Sequence, residues 1–220
     1  MLYLLLIIVT LGLGLGTQAL INAQYKKWDK VYSHSGLTGA EAARRMLDSH
    51  GLYDVPISIT TGRLSDNFDP RKNCLNLSQS VYGSYSVASI AIACHEAGHA
   101  VQHNLGYTPI KVRTAIFPVV NFASNAWIVV LLIGIAMNLM DMVWVAVGLY
   151  ALVVLFQLVT LPVELNASNR AMTYISDSLA MSAEQDKGAR SVLTAAALTY
   201  VAAALASLLQ LLYLVARAEN

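Results

Sequence analysis

The chain has 220 residues, is 56% hydrophobic and only 12% charged, and carries a formal net charge of +1. Soluble domains average about 25% charged residues, so the composition excludes an ordinary soluble domain and points to a membrane protein with room for one modest polar part. The near-neutral balance offers nothing to a nucleic-acid partner, and two cysteines, Cys74 and Cys94, make no disulfide framework.

Residues 2–22 carry no charge and are long enough to span a hydrocarbon core of about 30 Å. A signal peptide is the competing reading, but no Lys or Arg precedes the apolar run and the small-residue pattern near Ala23 is poor. Residues 1–22 are therefore read as a retained transmembrane anchor.

Residues 23–115 are the polar part. They hold ten Lys and Arg residues: Lys26, Lys27, Lys30, Arg44, Arg45, Arg63, Arg71, Lys72, Lys111 and Arg113. Within them Thr38-Gly39-Ala40-Glu41 has the form of a capping box, which predicts a helix from Gly39 to about Ser49, ended by Gly51. Its buried stripe would be Ala43, Met46 and Leu47, with Arg44, Arg45 and Asp48 in solvent. Val55–Thr61 alternates with period two and reads as a strand, with Pro56 at an edge or a strand start. Asn67–Pro70 reads as a turn. Asn73–Ser78 reads as a second strand, pairing antiparallel with the first or with the segment near Leu64. A helix from about Tyr82 to Asn104 follows, stopped by Gly106.

Two further spans, 116–137 and 143–163, are joined by a tight turn over Asn138–Met142 and together form a transmembrane hairpin, 116–163. Trp127 and Trp144 fit interfacial anchors and lipid-facing bulk equally well. Residues 164–190 are polar and helical in pattern. The segment 191–220 is a fourth apolar span with a short tail containing Arg217 and Glu219. With four spans, 23–115 and 164–190 share one side, and the latter adds Arg170, Lys187 and Arg190. Only Arg217 lies on the other side, so the positive-inside rule places the polar segments in the cytoplasm and both termini outside. A reducing compartment also suits the two free cysteines.

The chemistry is concentrated in His95-Glu96-Ala97-Gly98-His99. On a helix, residues four apart are separated by about 400°, so His95 and His99 share a face. Two neutral imidazoles stacked in this way can reach one Zn²⁺, and Glu96 is placed to act as the base toward attacking water. The run Ser86–Cys94 before it is small and apolar, as in a buried helix, and two histidines and a carboxylate that follow in such a helix need a metal or a partner.

Catalytic zinc keeps three protein ligands and an open position. His103 continues the spacing of four, but it lies about 12 Å along the axis from His95 in a continuous helix. No glycine between His99 and His103 makes a turn, so His103 fits a supporting or surface role better. Glu164 is the better third candidate. It follows Leu161-Pro162-Val163 at the cytoplasmic end of a span, where a carboxylate is costly unless it meets a cation or water. A simple ion pair with Arg170 or a lysine is its alternative, and Asp177 and Glu184 are weaker candidates further along.

His95–Gln102, Asp69-Pro70-Arg71, Leu77-Ser78, Gly36–Glu41 and Pro162–Ser168 form a set of motifs whose order and spacing carry a resemblance over nearly the whole chain. Together they resemble the YugP-like neutral zinc metallopeptidases. The resemblance implies a membrane-embedded zinc peptidase of the bacterial plasma membrane, with a core logic related to that of the HtpX-like gluzincins. In those enzymes a glutamate on a later helix completes the zinc site, and Glu164 matches it. The related motif usually has Asp where Ser168 stands. YugP-like chains commonly have Asp where this one has Asn166. Residue 166 lies about 200° around a helix from Glu164, so the two cannot face one ion, and Asn166 is given a supporting role.

The fold class expected is thus a mostly helical α+β membrane protein, with four transmembrane helices and a small zincin-like cytoplasmic domain made of a helix, a β-hairpin and the HExxH helix. The expected cofactor is one Zn²⁺ per chain on His95, His99 and Glu164, with Glu96 as general base. Arg170, His103 or Tyr174 would serve as oxyanion donor. Expected partners are a protein or peptide substrate and the lipid bilayer, with a regulatory membrane partner or a second copy left open. An edge of the 55–78 hairpin would take a substrate strand. Two other classes stand beside this one: a site-2-type intramembrane protease, and a catalytically silent membrane scaffold that retains the zinc site.

Overall fold

The computed structural model describes residues 2–62 and 65–219. The elements are α1 (Leu2–Trp28), α2 (Gly39–Ser49), β1 (Ile57–Thr60), β2 (Asn67–Asp69), β3 (Cys74–Ser78), α3 (Gln79–Tyr82), α4 (Val87–Asn104), α5 (Thr108–Ala136), α6 (Met140–Ser178) and α7 (Ala183–Ala218). Four of them, α1, α5, α6 and α7, are long and apolar enough to cross a membrane. The chain divides into two compact units. One holds residues 1–17, 108–162 and 199–220; the other holds 18–107 and 163–198.

The second unit carries the sheet. Helix α2 starts where the capping box places it: Glu41 N–H donates to Thr38 Oγ1 at 3.2 Å, and Thr38 N–H donates to the Glu41 carboxylate at 2.8 Å. The helix stops at His50, and Gly51 takes φ +74°, a left-handed conformation that costs a glycine little. Ala42, Ala43, Met46 and Leu47 are fully buried. Arg44, expected in solvent, is instead half-buried. Its guanidinium donates to Asp48 and to the carbonyls of Val55 and Leu52, which ties the end of α2 to the chain entering β1.

The sheet corrects two expectations. Its order is β1-β3-β2. β1 pairs with β3 in parallel, Ile57 opposite Leu75 and Thr60 opposite Ser78, and not as a hairpin. The antiparallel partner of β3 is β2, so Asn67–Asp69 is a strand and the turn lies just after it. The segment near Leu64 proposed as a partner includes Arg63 and Leu64, which lie outside the described residues. The central strand β3 buries Leu75 and Leu77, while Pro56 immediately precedes the edge strand β1.

Helix α4 begins at Val87, later than expected, because Ser86 caps it by accepting from Ser89 N–H. The residues before it form the separate short helix α3. Gly106 has φ +64° just past its end. The small residues Ala88, Ala91, Ala93, Cys94 and Ala97 are fully buried, so other elements approach α4 closely. The core around them includes Leu47, Leu75, Leu77, Val81, Ala171, Ile175 and Val192.

Residues 164–190 do not form a separate helix. The third apolar span runs without interruption into α6 as far as Ser178, and after a break at 179–182 the rest opens α7. Ser182 and Gln185 cap α7 reciprocally: Gln185 N–H donates to Ser182 Oγ at 3.2 Å and Ser182 N–H to Gln185 Oε1 at 3.4 Å. In the first unit, Val147, Leu214 and Ala218 form a smaller apolar cluster, with Trp127 packed against it.

Candidate metal and active site

His95 and His99 lie in the middle of α4, one turn apart, with ring centroids 4.8 Å apart and planes nearly perpendicular. Glu164 comes from the stretch of α6 that belongs to the same compact unit. Its Oε2 lies 3.3 Å from His95 Nε2 and 3.5 Å from His99 Nε2, with side-chain exposures of 3%, 13% and 11% for the three residues. Among the described residues, these three form the group of ligand-type atoms close enough to hold one metal ion.

The spacing tests the fit. A tetrahedral ion with bonds of about 2.0–2.1 Å has its ligand atoms about 3.3 Å apart. The two nitrogen–oxygen separations match that edge. Both imidazoles turn Nε2 toward the same carboxylate oxygen, and the donor set, two neutral nitrogens and one carboxylate, is that of a catalytic zinc site with one position open. Something positive belongs between such groups. Burial lowers His99, yet its hydrogen bond to Glu164 and the charges of Glu96 and Glu164 prevail, and the imidazole is raised from its ordinary range. A divalent cation satisfies the same three atoms without a proton.

Helix packing sets this geometry. Gly98 faces Ala167 of α6 so closely that a Cβ built on it would lie 2.8 Å from the Ala167 carbonyl oxygen and 3.3 Å from its Cα. Those are backbone atoms and cannot swing away. The motif glycine lets α4 and α6 approach, and Glu164 sits one turn before Ala167 on the same helix. Gly98→Ala should therefore separate the helices, cost about 1–3 kcal/mol as an overpacked contact, and lower zinc occupancy at fixed free zinc. Full occupancy in the folded variant would show that the close approach is not needed.

Glu96 is half-buried beside the two histidines. Burial pushes its carboxyl up from the usual range, His95 and His99 pull it down, and the Glu164 and Asp66 carboxylates push it up again; the net direction is upward. An elevated carboxyl is better suited to exchanging protons near neutral pH. Asp66 is held by Ser78, whose N–H donates to Oδ1 at 2.7 Å and whose hydroxyl donates at 3.0 Å.

The remaining predicted residues are distributed around this centre. His103 is exposed and stands apart from the three-residue group, with its ring 5.7 Å from that of Phe68 in β2. Tyr174 is buried in the apolar core. Asn166 does not face the group: its Oδ1 accepts from Arg170 Nε at 2.8 Å and from Gln102 Nε2 at 3.0 Å. Arg170 is thereby turned toward Asn166.

Sequence reasoning assigned no role to Gln102 or Ser168. Gln102 Oε1 is 3.0 Å from His99 Nδ1, and Ser168 Oγ is 3.1 Å from His95 Nδ1. Each histidine thus has a polar group behind its outer nitrogen. The spacings carried a signal: Gln102 is three residues after His99, and Ser168 is four after Glu164, both same-face positions.

Known proteins resemble this chain over nearly its whole length. The family described as "Putative neutral zinc metallopeptidase" matches residues 3–219. The chain is similar to the Bacillus subtilis protein named "Putative membrane protease YugP", 44% identical over 212 residues that cover 96% of this chain and 94% of the relative. No solved structure matches the chain.

Proposed function

We propose that this chain, which belongs to that family of neutral zinc metallopeptidases, is a membrane-bound zinc endopeptidase of the gluzincin type, with a zincin-like domain on the cytoplasmic face. The observation that carries the reading is the meeting of His95 Nε2, His99 Nε2 and Glu164 Oε2 at tetrahedral-edge distances, with Glu96 beside them.

His95, His99 and Glu164 would hold one Zn²⁺, which when bound polarises a carbonyl and makes water easier to deprotonate. The chain's own residues do the rest. Glu96 takes the proton of the attacking water on its carboxylate and later delivers it to the leaving amine. Gln102 and Ser168 hold the outer nitrogens of the histidines. β2 is an edge strand, and Phe68 packs by its ring against His103 of α4. An extended peptide would pair along the outer edge of β2, giving main-chain recognition that tolerates many side chains. This moves the substrate edge from the hairpin expected over 55–78 to the strand beside the HExxH helix.

The side of the membrane follows from charge. Ten Lys and Arg residues in 23–115 and three in 164–190 face a single Arg217 beyond the fourth span, which supports a cytoplasmic site and outward termini. The reading that buries HExxH within a span is less well supported, since α4 packs into the core shared with α2 and the sheet.

The test is direct. Protein purified in detergent should contain about one zinc per chain by elemental analysis and cleave an unfolded substrate such as casein. A chelator should abolish cleavage, and added zinc should restore it. Zinc without cleavage would favour the silent scaffold; neither would remove the peptidase reading.

A further inference from the structure

The contact between His99 Nδ1 and Gln102 Oε1, taken alone, could run in either direction, because an imidazole and a primary amide each offer donors and acceptors. Here the neighbours remove the choice. Gln102 is fully buried. The other end of its amide, Nε2, lies 2.7 Å from the main-chain carbonyl oxygen of Val163 and 3.0 Å from Asn166 Oδ1. A main-chain carbonyl only accepts, so the end that faces it is the NH₂ group. Asn166 is oriented from its far side by Arg170, whose Nε–H only donates, 2.8 Å from the same Oδ1.

The polarity therefore passes in one direction. Arg170 donates to Asn166; Gln102 donates to Asn166 and to Val163; Gln102 Oε1 is left as an acceptor. His99 must donate to it from Nδ1, which leaves the lone pair of the neutral ring on Nε2, the atom that faces Glu164. We infer that Gln102 is a positioning residue that locks His99 in its Nδ1–H tautomer, anchored by Val163 and by the Asn166–Arg170 pair. His99 then meets the metal with the correct nitrogen already free. This rests on the zinc-site proposal and adds how the site is preset. His95 is treated differently: the hydroxyl of Ser168 can donate or accept, so it imposes no tautomer.

The experiment is zinc titration of the full-length protein in detergent against a competing chromophoric chelator, with four variants. Gln102→Met removes the acceptor and should weaken zinc binding about 10- to 100-fold. Gln102→Glu restores an acceptor for Nδ1–H while losing the bonds to Val163 and Asn166, and should recover most of the affinity. A merely structural role predicts the reverse order, since a buried carboxylate against the Val163 carbonyl disturbs packing more than methionine does. Asn166→Asp, which can still accept from both donors, should bind zinc as wild type does, and Asn166→Leu should bind it more weakly. Nitrogen NMR of the zinc-loaded wild type should show His99 bound through Nε2 and protonated at Nδ1. Equal affinity of Gln102→Met and wild type, a Glu variant weaker than the Met variant, or binding through Nδ1 each overturns the proposal. A wild-type protein that binds no zinc overturns the metal-site reading itself, and this proposal with it.

Discussion

Glu96→Gln should leave zinc content at the wild-type level and abolish peptide hydrolysis. The substitution keeps the size of the side chain and removes only its ability to take a proton. Glu96 is not one of the three ligand atoms that meet at Nε2, Nε2 and Oε2, so the metal has no reason to leave. With Glu96 as the proposed base, the reaction would lose its proton acceptor, and losses from removing such a group run to about 10²–10⁴-fold. Turnover that survives in zinc-loaded Glu96→Gln would assign the base to another residue.

Glu164→Ala should have the opposite signature and lose the metal itself. The structure supplies one carboxylate to two imidazoles, from a different helix, at 3.3 and 3.5 Å. Without it, His95 and His99 remain as two ligands on one face of α4, too few for a closed or catalytic zinc site. Elemental analysis should find the variant depleted of zinc, and activity should disappear with it. His99→Ala should match this result, since it removes another of the three proposed ligands. Full zinc content in Glu164→Ala would mean that the third ligand is elsewhere. Paired with Glu96→Gln, the two variants separate binding from chemistry.

How much of the molecule was legible from its residues depended on how local the signal was. Helix α2 was readable to its ends because Thr38, Glu41 and Gly51 are all local signals. The sheet was not. β2 is only three residues long, and Asn-Phe-Asp-Pro carries turn chemistry, so its strand character comes from pairing with β3. The parallel pairing of β1 with β3 needs a crossover that no local pattern announces. The extent of α6 was hidden by hydropathy: the side chains turn polar near Glu164 while the backbone remains helical to Ser178. Within the site, the meeting of His95 and His99 was legible because the two side chains share one helix face. The pairing of Gln102 with Val163 and Asn166 was not, because the partners lie far along the chain and meet only when α4 and α6 pack.

The unbroken course of α6 has a consequence for the order in which the protein is made. A ribosome completes α4, with both histidines and the base, well before it reaches Glu164. With zinc held jointly by His95, His99 and Glu164, a nascent chain displays an HExxH helix that cannot yet retain the ion. Only when α5 and the greater part of α6 have been synthesised would the third of these groups arrive. Hydrolytic capacity would then be withheld from every half-made copy by the order of synthesis alone.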